Sequence, residues 1–256
     1  LENQLLCYPK NENILFYNEI YENKENLEEI ILIEELCTGG TLEKLVENMG
    51  TIEERCVKLM AKQILEGLLY LKERKGKHGN LKLSNIMIQC KGDIKLADFY
   101  ELEEKFVKNK EIYRNFAKKN SVYLSPETIL NQKCSHKSDI WTLGCIMLQI
   151  LTNKKPFENE EIMRKSFIEG KIPDFLDTLS EKCREFLKKM LVFDEDKRAD
   201  GEELLEDEFL KELEEEPIDN KERKSIKGLF ELRKKTVDNS KELLYNKLKE
   251  KRKILN

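Results

Sequence analysis

The chain has no apolar run long enough to cross a bilayer, and no secretory leader opens it. Its most apolar stretch, Ile140 to Leu151, is too short to span and reads as a core helix. Glycine and proline are scarce, eleven and five in 256 residues. That scarcity excludes fibrous and disordered architectures and leaves a charge-laced, mostly helical composition with room for one sizeable domain or two small ones. Neither sign of charge dominates: 46 Lys+Arg against 50 Asp+Glu leave a net of −4, so no nucleic-acid or acidic-lipid partner is required. The seven cysteines (Cys7, Cys37, Cys56, Cys90, Cys134, Cys145 and Cys183) are scattered singly, without zinc or redox spacing. Most have apolar neighbours, as reduced, buried thiols of an intracellular protein, cytoplasmic or nuclear, would have.

Two apolar runs, Asn13 to Phe16 and Leu27 to Ile33, predict antiparallel strands joined by a polar turn. Gly39-Gly40 ends that unit, and Thr41 opens a short helix. Ile52, Val57, Met60, Ala61, Ile64, Leu65, Leu68 and Leu71 recur at helical spacing. Ile86 to Ile88 and Ile94 to Leu96 read as short strands around the turn Lys91-Gly92-Asp93. After Pro126 the pattern is helical, with breaks at Asn153 to Pro156 and Lys171 to Pro173. Acidic residues crowd 202–216, whereas 221–256 carry 13 Lys/Arg and 5 Asp/Glu, a local net of +8. Pro217 is therefore the expected boundary. The tail, with Leu244, Leu248 and Leu255 on one helical face, reads as a solvated helix, with docking to an acidic partner or membrane surface, or a coiled coil, as the alternatives.

The chemistry concentrates in His78-Gly79-Asn80-Leu81-Lys82-Leu83-Ser84-Asn85 and in Asp98-Phe99, thirteen residues after Asn85. A hairpin between Asn85 and Asp98 brings an amide oxygen and a carboxylate together, oxygen donors suited to Mg²⁺ bound with phosphates. Lys82 could neutralise a transferring phosphoryl group.

These segments resemble the protein-kinase catalytic loop H-R-D-L-K-x-x-N followed by D-F-G. Ser125-Pro126-Glu127 resembles the A-P-E that closes the activation segment, and Ser138-Asp139-Ile140-Trp141-Thr142-Leu143-Gly144 the S-D-I-W-S-L-G of the large lobe's central helix. Asp194 to Arg198 resembles the D-P-x-x-R whose arginine pairs with the A-P-E glutamate, and Ile31 to Gly40 the hinge between the lobes. Six such segments in order imply an α+β, two-lobed, protein-kinase-like fold of the Ser/Thr type, with a mostly helical C-lobe and much of the N-lobe missing from this chain. The expected division is an N-lobe remnant over 1–36, the C-lobe over 37–216 and a basic helical tail over 217–256.

The resemblance implies ATP and Mg²⁺ as cofactors. It makes Asn85 and Asp98 the metal ligands and Lys82 the phosphate-facing cation. Glu35, Leu36 and Cys37 become the adenine-facing hinge, Met87 the floor beneath it, and Glu2 the ion-pairing glutamate of the small-lobe helix. Structural roles fall to His78, which buttresses the loop, to Phe99, stacked with Leu6 and Tyr17, to the Glu127–Arg198 ion pair, and to Asp139, which would accept backbone hydrogen bonds from the catalytic loop. Tyr113, Ser121 and Tyr123 read as ordinary loop residues, with phosphorylation as the alternative.

The departures are internal. The catalytic aspartate position holds Asn80, whose amide is no base at neutral pH. Gly79 replaces the preceding arginine, Tyr100 the glycine after Asp-Phe, Asn120 an activation-segment threonine, and Glu34 the gatekeeper behind the adenine slot. The expected function is a pseudokinase that acts by binding protein partners, with weak or no ATP-dependent transfer. The alternatives are an active Ser/Thr kinase acting on protein substrates, and a structural remnant without ligand.

Overall fold

The computed structural model describes residues 10–22, 30–89, 92–99, 121–131, 133–171 and 178–215. The expectations that rest on Glu2, Leu6, Tyr100, Tyr113, Asn120 and the tail over 217–256 lie outside these residues.

Strands β1 (Tyr17–Glu22) and β2 (Ile30–Glu34) pair antiparallel, from Tyr17 opposite Glu34 to Glu22 opposite Ile30. The first strand thus begins four residues later than the apolar pattern predicts. The apolar run itself is buried elsewhere: Leu15 N–H donates to the Leu96 carbonyl and Leu96 N–H to that of Asn13, at 2.9 and 2.8 Å. Residues 13–15 therefore line the second sheet, while the polar Tyr17–Glu22 segment is a strand because β2 satisfies its main chain. That second sheet has the order β3 (Gly40–Thr41), β4 (Ile86–Ile88), β5 (Ile94–Leu96) and is antiparallel throughout. Gly39 is needed where the chain enters it, since a Cβ there would lie 2.5 Å from the Ile88 carbonyl oxygen.

The other longer elements among the described residues are helices: α1 (Leu42–Met49), α2 (Glu54–Glu73), α3 (Pro126–Asn131), α4 (His136–Thr152), α5 (Glu160–Ile168), α6 (Glu181–Met190), α7 (Gly201–Leu205) and α8 (Glu208–Glu215). Small sheets with a dominant helical part match the α+β expectation. None of the described helices is long and apolar enough to cross a membrane. The periodic residues read from the sequence are the buried face of α2 and its approach. The central helix α4 is apolar almost all round and is accordingly buried, packed against α2 and α6. A capping box between Ser135 and Ser138 starts it, and Asn153 in the left-handed region (φ 55°) ends it, at the predicted break. Trp141 of α4 meets Phe167 and Phe193 edge-on, each with ring centroids 5.5 Å away.

Glu127 on α3 and Arg198 before α7 form a two-pronged ion pair at 2.8 and 3.0 Å. Ser138 Oγ donates to the same carboxylate at 2.7 Å, and the guanidinium also donates to the carbonyls of Lys137 and Val192. Burial alone would raise the Glu127 pKa, but the Arg198 hydrogen bonds and charge outweigh it and hold the carboxyl below its ordinary 4.5. A lowered folded-state pKa contributes stability that is complete above the unfolded value and lost as pH falls through the folded one. Arg198→Ala strands a buried carboxylate and is expected to lower the unfolding free energy at pH 7 by roughly 3–5 kcal/mol. In chemical denaturation the loss should shrink as pH falls through the lowered folded-state value of Glu127.

Candidate functional site

The segment from His78 to Lys82 follows α2 with neither helix nor strand to satisfy its main chain, so side chains impose its shape. Asp139 on α4 does most of this: its two carboxylate oxygens accept the N–H groups of His78 and Gly79 at 2.8 and 2.9 Å. Burial pushes the Asp139 pKa up to about 7, against the opposing pull of those two N–H groups and of Lys77. Gly79 has φ 68°, a left-handed backbone that glycine adopts without steric cost. The sequence shows only a lost arginine there; the backbone conformation needs coordinates.

His78 is fully buried, and its Nδ1 accepts the Asn80 N–H at 3.3 Å. Burial pushes its pKa down to about 3, keeping it neutral. The rings of His78, Phe99 and Tyr17 form an edge-to-face column with centroid separations of 6.3 and 6.2 Å.

Asn85 ends a single 3₁₀ turn, Leu83–Asn85, directly before β4. Its Nδ2 donates to the Asn80 carbonyl at 2.9 Å, and its own carbonyl accepts the Ala97 N–H at 2.9 Å. The β4–β5 hairpin thus sets the Asn85 and Ala97–Asp98 ends side by side. Asn85 is buried, its Oδ1 meeting Ser84 Oγ at 3.4 Å, whereas Asp98 is exposed. An amide oxygen and a carboxylate are hard donors that fit Mg²⁺ shared with phosphate oxygens. No cluster of three His, Cys, Asp or Glu suited to a metal occurs among the described residues. Asp98 has φ 54°, a left-handed conformation costing a non-glycine residue about 1 kcal/mol or more. Its N–H donates to Tyr17 Oη and its carbonyl accepts Asn80 Nδ2, each at 3.1 Å. Lys82 is partly exposed, and its charge helps to depress the His78 pKa.

At the hinge, Cys37 is buried and Leu36 is 66% exposed. The Glu35 side chain turns inward: Oε1 accepts the Phe16 N–H at 2.8 Å and pairs with Lys95 at 2.7 Å, and Oε2 accepts from Gln89 at 3.2 Å. The Glu35 N–H donates to the Phe16 carbonyl at 2.9 Å, so Glu35 has only its own carbonyl left to offer an adenine. Lys95, buried in β5, also donates to the Asn11 and Ile14 carbonyls. This network was missed in the sequence, although a lysine inside the apolar run Ile94-Lys95-Leu96 signals a buried partner. Met87 lies on β4 opposite Thr41 and Lys95. Glu34 is exposed at the end of β2, yet partial desolvation raises its pKa, and the neighbouring Asp98 charge adds to the rise. Tyr123 Oη donates to Gln149 at 2.5 Å, an internal role.

The protein kinase domain family model matches residues 1–210. Among curated proteins the chain is similar to mitogen-activated protein kinase kinase kinase 3 of Arabidopsis thaliana, 33% identical over 210 residues, covering 80% of this chain and 33% of that protein. It is similar to serine/threonine-protein kinase STE11 of Saccharomyces cerevisiae, 29% identical over 212 residues, with 82% and 29% covered. Serine/threonine-protein kinase dst1 of Dictyostelium discoideum is 30% identical over 188 residues, with 70% and 25% covered. The chain spans a third or less of the length of these relatives.

Lys95→Met should leave the partly buried Glu35 carboxylate without its cation and destabilise the fold by roughly 1–3 kcal/mol. In urea denaturation the double variant Lys95→Met/Glu35→Gln is expected to recover part of that loss, the signature of direct coupling.

Proposed function

The chain belongs to the protein kinase domain family, with serine/threonine kinases among its relatives, and we propose that it works as a pseudokinase, a kinase-shaped module that binds protein partners and holds Mg²⁺·ATP weakly, without appreciable phosphoryl transfer. The observation that carries this reading is Asn80. It occupies the base position, is 8% exposed, and spends its amide N–H on the Asp98 carbonyl. An amide cannot take a hydroxyl proton at neutral pH, which removes a contribution of roughly 10²–10⁴-fold.

The remaining parts are electrostatic. Asp98 and Asn85 would hold Mg²⁺, which when bound neutralises phosphate charge. Lys82 would face the terminal phosphate, and the Glu35 carbonyl and the Cys37 main chain would meet the adenine above Met87. Glu34 opposes this by adding a carboxylate near Asp98, behind the purine slot. Desolvating that carboxylate beside a ligand costs energy, which supports weak nucleotide binding.

Thermal unfolding of the full-length protein, with and without Mg²⁺ and ATP, tests the nucleotide part. At a hundredfold excess over the dissociation constant the ligand should stabilise the fold by about 2.7 kcal/mol. Asp98→Ala should abolish the Mg²⁺-dependent share of the shift. No shift at millimolar ATP in the wild type would leave a module that acts through its surface alone.

A further inference from the structure

Asp98 carries the exposed carboxylate of the site, and its orientation follows from its main chain. That main chain belongs to no helix or strand, because β5 ends at Leu96. It is also left-handed, with φ 54°, a conformation that aspartate visits more readily than most residues but still at some steric cost. Two side chains support it from opposite ends of the residue. Tyr17 Oη accepts the Asp98 N–H at 3.1 Å, and Asn80 Nδ2 donates to the Asp98 carbonyl at 3.1 Å.

Both supports are themselves fixed. Tyr17 is 2% exposed and packs edge-on against Phe99, so its hydroxyl is held in place. The Asn80 N–H meets His78 Nδ1 and the Asn80 carbonyl accepts from Asn85, which sets the side chain's starting point. Because a carbonyl oxygen only accepts, the atom of Asn80 facing it must be the amide nitrogen.

We propose that Asn80 is a positioning residue whose amide, paired with the Tyr17 hydroxyl, clamps the Asp98 main chain in its left-handed conformation and so aims the Asp98 carboxylate into the cleft. An ionised aspartate at this position has no hydrogen to donate and would set an oxygen against the Asp98 carbonyl. The replacement is therefore more than a deletion: it exchanges a proton acceptor for a clamp on the metal ligand. Restoring the aspartate would supply a base and loosen that ligand in the same step. The link to Mg²⁺ rests on the proposed nucleotide site; the clamp itself does not.

Amide hydrogen exchange at Asp98 in the full-length, ligand-free protein tests the clamp. Losing one hydrogen bond of ordinary net strength should speed exchange there roughly 2- to 10-fold. That acceleration is expected in N80D and in Y17F, the latter keeping the ring and its packing, while exchange in the α4 core stays unchanged. Mg²⁺·ATP affinity by titration calorimetry is expected to fall by a similar factor in N80D. An N80D protein whose Asp98 amide exchanges no faster than that of the wild type overturns the clamp, whatever the nucleotide data show. A wild type that fails to bind Mg²⁺·ATP overturns the nucleotide site, and the exchange comparison still decides the clamp.

Discussion

Three consecutive residues in the first turn of α4 tie the helical core to everything that surrounds the cleft. The Lys137 carbonyl accepts from the Arg198 guanidinium, the Ser138 hydroxyl donates to Glu127, and the Asp139 carboxylate accepts the His78 and Gly79 N–H groups. Because α4 is buried along nearly its whole length, that turn is a fixed point. The Asp139 contact is the decisive one. The loop from His78 to Lys82 has no regular hydrogen bonds of its own, so a buried carboxylate determines where Asn80, Lys82 and Asn85 lie. Burial works against the ionised form, and two short backbone bonds work for it, which places the carboxyl's pKa near the middle of the physiological range.

In the function we propose, the cleft above this support keeps its charge pattern and lacks a base. Phosphoryl transfer relies mainly on positioning and charge stabilisation, so Asp98, Asn85 and Lys82 retain meaning without a general base. The two adjacent acidic residues, Glu34 and Glu35, have different surroundings. Glu35 points inward and is paired with Lys95. Glu34 is partly desolvated and sits in the field of Asp98, and both raise its pKa. The rings of His78, Phe99 and Tyr17 pack edge-to-face in sequence, and Tyr17 links them to the Asp98 main chain through its hydroxyl. Structural parts of the family pattern thus persist where the chemical ones have changed.

The sequence made the α+β class, the α2 core face, the α4 segment and the residues around the cleft legible, because each is carried by a motif or by periodicity. Its error at the first strand has a plain cause. The apolar residues Ile14 and Leu15 are buried against β5, whereas the strand is the polar stretch beginning at Tyr17, which no alternation marks. The inward turn of Glu35 was invisible because it depends on Lys95, sixty residues away in the chain. The left-handed backbones of Gly79 and Asp98 were equally hidden: a sequence records which residue is present, and not the φ that it adopts. Asn80 read alone signals only the loss of a base; its bond to the Asp98 carbonyl appears once β5 has brought that carbonyl alongside.

We propose that this kinase fold does not catalyse appreciable transfer, because an amide occupies the base position. The most direct test is transfer of radiolabelled γ-phosphate from Mg²⁺·ATP by the full-length protein, to itself and to a generic protein substrate, beside an Asp98→Ala control. The account expects incorporation no higher than in the control. Multiple-turnover transfer in the wild type that disappears in Asp98→Ala would contradict it and establish an active serine/threonine kinase.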